Sequence, residues 1–209
     1  MQDLETTGYL NRNEDSGRFT IGVQVLTLAY AYLEALDIVR FGQKVIRKLF
    51  EETHEFSAVV VPRGLEYVLV CAETPPTLAA HSLQVGHRAP LYCSATGRTM
   101  LAYMSSDQCD RILRQSKPKK ITPYTITEMS AVKVEIERAR KTGVAYSVQE
   151  IFVGITALAS VVRNAVGTPV GAIATALSGA RLDRERRIFL EEATKRAAAE
   201  LSRQFGWTG

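Results

Sequence analysis

Cysteine and histidine are scarce in this chain, and no apolar run is long. The 209 residues hold three cysteines, Cys71, Cys93 and Cys109, and three histidines, His54, His81 and His87. The cysteines are odd in number, far apart and without C-x-x-C spacing. Neither a disulfide framework nor a zinc ribbon is indicated. A reducing cytoplasm fits this usage and is the expected location. No two of His54, His81 and Cys93 fall at i, i+3 or i+4 on one helix, so no metal site is expected. G-x-S-x-G, Walker, H-E-x-x-H and G-x-G-x-x-G patterns are all missing, so no catalytic residue is assigned and no cofactor is expected. The histidines and Cys93 can be drawn into a Cys–His pair, but scattered histidines are ordinarily surface or core residues. Apolar stretches near Ala157 and Ala172 break well short of the roughly 20 residues of a membrane helix. No signal-peptide pattern opens the sequence, and no membrane partner is expected.

What is present is an ordinary globular balance, 46% hydrophobic and 23% charged. The length suits one full domain and a small extra piece. A net charge of +4 permits nucleic-acid contact without arguing for it.

The most informative stretch is residues 143–179. It reads as a short strand, a loop and a long hairpin with arms at 155–163 and 170–178. The second arm, with Val170, Ile173, Ala174, Ala176 and Leu177, is apolar on both faces. Such a strand belongs in the middle of a sheet covered by helices. Its small residues, Gly171, Ala172, Ala174, Ala176 and Ser178, suit two arrangements. They leave room for a small ligand, or they let a helix pack closely; both remain open.

The other elements follow from periodicity and punctuation. Residues 3–7 read as the end of a helix stopped by Gly8, followed by a small hairpin with an Asp-Ser-Gly tip. Residues 23–36 form a helix apolar most of the way round, which suggests subunit contact through Leu26, Tyr30 and Leu33. Asp37 is placed to cap a second helix, 38–53. Strands are expected at 56–61, 65–72 and 78–85, and helices at about 96–104 and 106–115. A further helix, capped by Thr127 or Ser130, ends at Gly143, and a last one runs from Asp183 to Phe205. The sum is α+β, with about six strands, mostly hairpin-linked.

Several spaced motifs carry a family resemblance. They are Leu4-Glu5-Thr6-Thr7-Gly8-Tyr9-Leu10, Arg18-Phe19-Thr20-Ile21-Gly22, the segment GHRAPLYCSATGRTMLA at 86–102, Thr122-Pro123-Tyr124-Thr125, Gln149-Glu150, Gly154-Ile155 and 171–179. Together, over nearly the whole chain, they resemble the IclR family of bacterial transcription regulators. The resemblance implies a GAF-like effector-binding domain with a six-stranded, mostly antiparallel sheet flanked by helices. It implies domains at 1–22 (recognition-helix end and wing of a winged helix-turn-helix), 23–37 (linker helix) and 38–209 (effector-binding domain). It further implies a longer N-terminal stretch holding the rest of the DNA-binding helices, so residues 1–22 are expected to be a remnant. The wing places Arg12 and Arg18 near operator DNA. The implied assembly is a homodimer, or a tetramer built from two. The implied role is ligand-responsive control of a catabolic gene cluster. A GAF-like module acting through a protein partner, without DNA, is the alternative.

By the same resemblance the pocket positions fall on Leu78, His81, Ala89, Ala95, Thr96, Ser147, Ala157, Ala176 and Ser178. In some members the position of Ser147 is Asp and that of Ala157 is Cys. The residues themselves support part of this. Cys93-Ser94-Ala95-Thr96-Gly97 precedes a helix, whose first N–H groups and partial positive charge can hold a carboxylate. Ser94 and Thr96 would also serve simply as caps. A pocket with hydroxyls, one imidazole and no fixed charge suits a small organic or aromatic acid.

Overall fold

The computed structural model describes residues 1–76, 78, 83–179 and 183–209. The chain divides into two compact units, Met1–Arg40 and Phe41–Gly209.

The first unit opens with a short helix, α1 (Gln2–Thr6), and a two-stranded antiparallel hairpin, β1 (Leu10–Arg12) and β2 (Phe19–Ile21). Gly8 follows α1 with φ +75°, the left-handed geometry expected of a stop. Asn13 closes the hairpin tip by accepting from the Ser16 amide. Helix α2 (Gln24–Glu34) comes next, and none of its residues is buried. Asp37 is not a cap: it is the first residue of α3 (Asp37–Thr53) and pairs with Arg40 one turn on, at 2.6 Å.

The second unit is built on one six-stranded sheet. Its strands are β3 (Phe56–Arg63), β4 (Glu66–Glu73), β5 (Arg88–Pro90), β6 (Ala145–Val148), β7 (Ile155–Arg163) and β8 (Pro169–Ser178). Their spatial order is β5-β4-β3-β8-β7-β6, and every pairing is antiparallel. The β7–β8 hairpin has the predicted arms, and β8 is an interior strand as its two apolar faces require. Proline opens β8, where a missing N–H is tolerated.

Each face of the sheet has its own helices. On one side α7 (Arg184–Gln204) packs Leu190 against Leu158 and Leu177. Thr194 of α7 and Thr175 of β8 share a buried hydrogen bond at 2.8 Å. Phe41 of α3 meets Phe205, just past α7, edge to face with centroids 6.0 Å apart. The other side carries α4 (Ala95–Tyr103), with α5 (Ser106–Gln115) and α6 (Met129–Thr142) beyond it. Asp183 and Ser105 cap α7 and α5 through their side chains. Gly143 stops α6 in the left-handed region.

Two further sequence expectations fail. Residues 78–85 do not form a strand at their described positions; the edge strand is Arg88–Pro90, a three-residue piece too short to show a period. Neither Thr127 nor Ser130 caps α6. Its N-cap is Glu128, with no side-chain cap bond.

Candidate functional site

Strand alternation sends Phe56, Ala58 and Val60 of β3, Ala157 and Ala159 of β7, and Ala174 and Ala176 of β8 toward α4. The register sets Ala157 opposite Ala176 and Ala159 opposite Ala174. These alanines do two things. Ala159 and Ala174 pack against Ala95 at the head of α4, so the helix closes on the sheet there. One step along, Ala157 and Ala176 face a cavity of about 50 Å³, and Ala174 reaches its wall as well. The small residues thus serve close helix packing in one row and border a cavity in the next.

Apolar side chains make most of the cavity wall. Phe56, Tyr67, Leu69 and Leu83 close one side, and Ile151, Phe152 and Ile155 another. No Asp, Glu, Lys, Arg or His lies on the wall among the described residues. Burial pushes the Tyr67 phenol above its ordinary pKa, so it stays neutral. Polar groups come from the head of α4 and from Ser147 of β6. Ser94 caps the helix, accepting from the Gly97 amide at 3.0 Å and donating to the Pro90 carbonyl. Gly97 is required by a close approach: a Cβ there would sit 2.1 Å from the Leu91 carbonyl oxygen. The amides of Ala95 and Thr96 head the helix, where no intrahelical carbonyl can reach them. Ser147 donates its hydroxyl to the Cys93 carbonyl at 3.0 Å. Thr96 differs. It is 5% exposed, and its hydroxyl has no hydrogen-bond partner among the described residues.

Of the nine sequence-predicted pocket positions, the structure brings Ala95, Thr96, Ser147, Ala157 and Ala176 to this wall. Leu78 and Ala89 are buried in the adjoining core instead. Leu83 stands on the wall, and so does Tyr67, the register partner of Ala89. Ser178 is exposed at the last residue of β8, one step past the cavity. His81 lies outside the described residues.

Sequence reading missed what holds the site in shape. Arg98 of α4 and Glu150, in the turn after β6, form a fully buried bidentate pair with N–O distances of 2.5 and 2.8 Å. The guanidinium also donates to the carbonyls of Tyr92 and Tyr146. Glu150 accepts from the Ile126 amide, and its carbonyl accepts from the Thr125 hydroxyl at 2.8 Å. Thr122 donates to the Gln149 carbonyl at 2.6 Å. Three motifs distant in sequence thus meet in one network, and it fixes the turn that carries Ile151 and Phe152. Such a pair is no evidence of extra stability, but removing one partner strands a buried charge.

A second, larger groove runs past Arg138, Tyr146, Arg187 and Glu191. Its charged groups already pair: Arg138 with Glu135, Arg187 with Glu191, and Glu191 with the Tyr146 hydroxyl. No unpaired buried polar atom lies on it among the described residues. A ligand has less to gain there than at Thr96.

Comparison with known proteins agrees with the motifs. The family model of the bacterial transcriptional regulator IclR C-terminal domain matches residues 30–203. The HTH-type transcriptional repressor AllR of Escherichia coli K12 is 25% identical over 203 residues, covering 97% of this chain and 75% of that protein. The crystal structure of the Thermotoga maritima IclR shares the fold with a TM-score of 0.86 at 24% identity, over 99% of this chain and 83% of that one. An IclR homologue of Microbacterium hydrocarbonoxydans, crystallised with 4-hydroxybenzoate, has a TM-score of 0.78 at 18% identity, over 98% of this chain and 82% of its own. The chain belongs to the IclR family of bacterial transcriptional regulators, and residues 30–203 carry that family's C-terminal domain.

Proposed function

We propose that the chain senses a small organic or aromatic acid in the cavity at the head of α4 and couples its occupancy to control of a catabolic gene cluster in the cytoplasm. In this reading residues 38–209 are the effector domain and 23–37 the linker. Residues 1–22 contribute the wing, with Arg12 and Arg18 near operator DNA. The observation that carries the ligand reading is Thr96: a buried hydroxyl with no partner among the described residues, on a mostly apolar wall, beside the helix-head amides of Ala95 and Thr96. A carboxylate there would receive hydrogen bonds to a charged acceptor, each worth ~1.5–3 kcal/mol. No fixed cation faces it among the described residues, so affinity should be micromolar rather than nanomolar. The 4-hydroxybenzoate held by the Microbacterium homologue supports the same ligand class. Gene control is supported by the family and by the named repressor among its relatives. The test is a set of thermal melts with short carboxylic acids and their neutral amides. The acids should raise the midpoint and the amides should do so much less.

A further inference from the structure

The cavity is small for an aromatic acid. At about 50 Å³ it falls well below the roughly 300–1,000 Å³ of pockets that hold drug-sized ligands. What bounds it toward the β4–β5 edge is the ring of Phe152. That ring lies 5.4 Å, centroid to centroid, from the imidazole of His87, which is not itself on the wall. Tyr67, another wall residue, lies 6.0 Å from the same imidazole. His87 is held in place by its backbone: its amide donates to the Gln84 carbonyl, and its carbonyl accepts from the Leu69 amide at 2.9 Å. Its Nε2 is buried and has no hydrogen-bond partner among the described residues. Behind the apolar wall, then, sits a second unpaired polar atom. One aromatic side chain, Phe152, separates it from the cavity whose wall also carries Thr96.

Phe152 is placed to move. It is half-buried and sits in the turn at 149–154 between β6 and β7. The turn's ends are pinned by backbone and side-chain bonds: the Gln149 amide donates to the Ile155 carbonyl, and the Gly154 amide donates to the Gln149 side chain at 2.9 Å. A rotation of the Phe152 side chain would bring His87 onto the cavity wall without disturbing those ends.

Resting on the reading of the cavity as the effector site, we propose that His87 is a specificity-determining residue. It forms a distal polar subsite behind Phe152, and it selects acids that carry a second hydrogen-bonding oxygen at the end remote from the carboxylate. The carboxylate lies at Thr96 and the α4 amides, the carbon skeleton displaces Phe152, and the distal hydroxyl pairs with His87 Nε2. Burial lowers the imidazole pKa, so the ring is neutral and pairs with a neutral hydroxyl.

The test uses three probes on the whole chain: propionate, benzoate and 4-hydroxybenzoate, by calorimetric titration. The last two differ only in the distal hydroxyl. Wild type should prefer 4-hydroxybenzoate over benzoate by about tenfold, the scale of one good hydrogen bond. His87→Phe keeps an aromatic ring beside Phe152 and Tyr67. It should abolish that preference while leaving propionate affinity unchanged. His87→Gln, which keeps a polar group, should restore part of it. No preference in wild type, or one that survives in His87→Phe, overturns the role of His87. In that case propionate binding still supports the effector site. If none of the three acids binds, the effector reading fails and this inference falls with it.

Discussion

Thr96, Ser147 and Ser178 carry the same functional group and have three different fates. Ser147 donates to the Cys93 carbonyl, Ser178 faces solvent, and Thr96 is buried with no partner among the described residues. A buried hydroxyl left unpaired costs ~1–3 kcal/mol, so Thr96 is a debit in the empty protein that a ligand can remove. Thr96→Val should therefore leave the fold as stable or slightly more so, while weakening a small carboxylate by roughly tenfold or more. Ser178→Ala should change neither. Titration and melts on the two variants check this; a loss of binding in Ser178→Ala with none in Thr96→Val would reverse the assignment. The helix start around Ser94 was legible in the sequence because capping is local. Which hydroxyl stays free was not, since that depends on the backbone groups each meets across the fold. Arg98 and Glu150 show the same limit. Both stand in recognisable motifs, but their pairing joins α4 to a turn far along the chain.

Among the elements, the β7–β8 hairpin was the most legible, because two apolar, β-branched runs flank a clear turn. Its interior place also followed from composition. The short edge strand β5 and the uncapped start of α6 did not, since three residues show no period and Glu128 gives no capping signal. The alanine ladder was half legible: the small residues were visible, but not which of them would face space. That division gives a sharp contrast. Ala176→Leu grows into the cavity and should cost little stability while abolishing the acid's effect on the melt. Ala159→Leu grows into the contact with Ala95 and should cost ~1–3 kcal/mol through overpacking. Chemical denaturation of both variants decides it. Equal losses would mean that no usable space exists at Ala176.

For the whole molecule, α2 sets the expectation for assembly. Leu26 is 70% exposed and Tyr30 64%, with Val25, Leu28 and Tyr32 also exposed and Leu33 half-buried. Exposed apolar surface on this scale marks an interface. A homodimer through Leu26, Tyr30 and Leu33 is the predicted assembly, so light scattering should give about twice the 23.1 kDa of one chain. Leu26→Asp with Tyr30→Asp should return it to one chain's mass; wild type already monomeric at micromolar concentration would remove the basis for this.

In the proposed function, the cavity at the head of α4 recognises a carboxylate. Calorimetric titration of the chain with propionate and with propionamide tests it most directly, because the two ligands share a skeleton and differ at the recognised group. Propionate should give a saturable heat with one site per chain, and propionamide little or none. Equal binding of the two, or a propionate isotherm unchanged by Ala176→Leu, would contradict it.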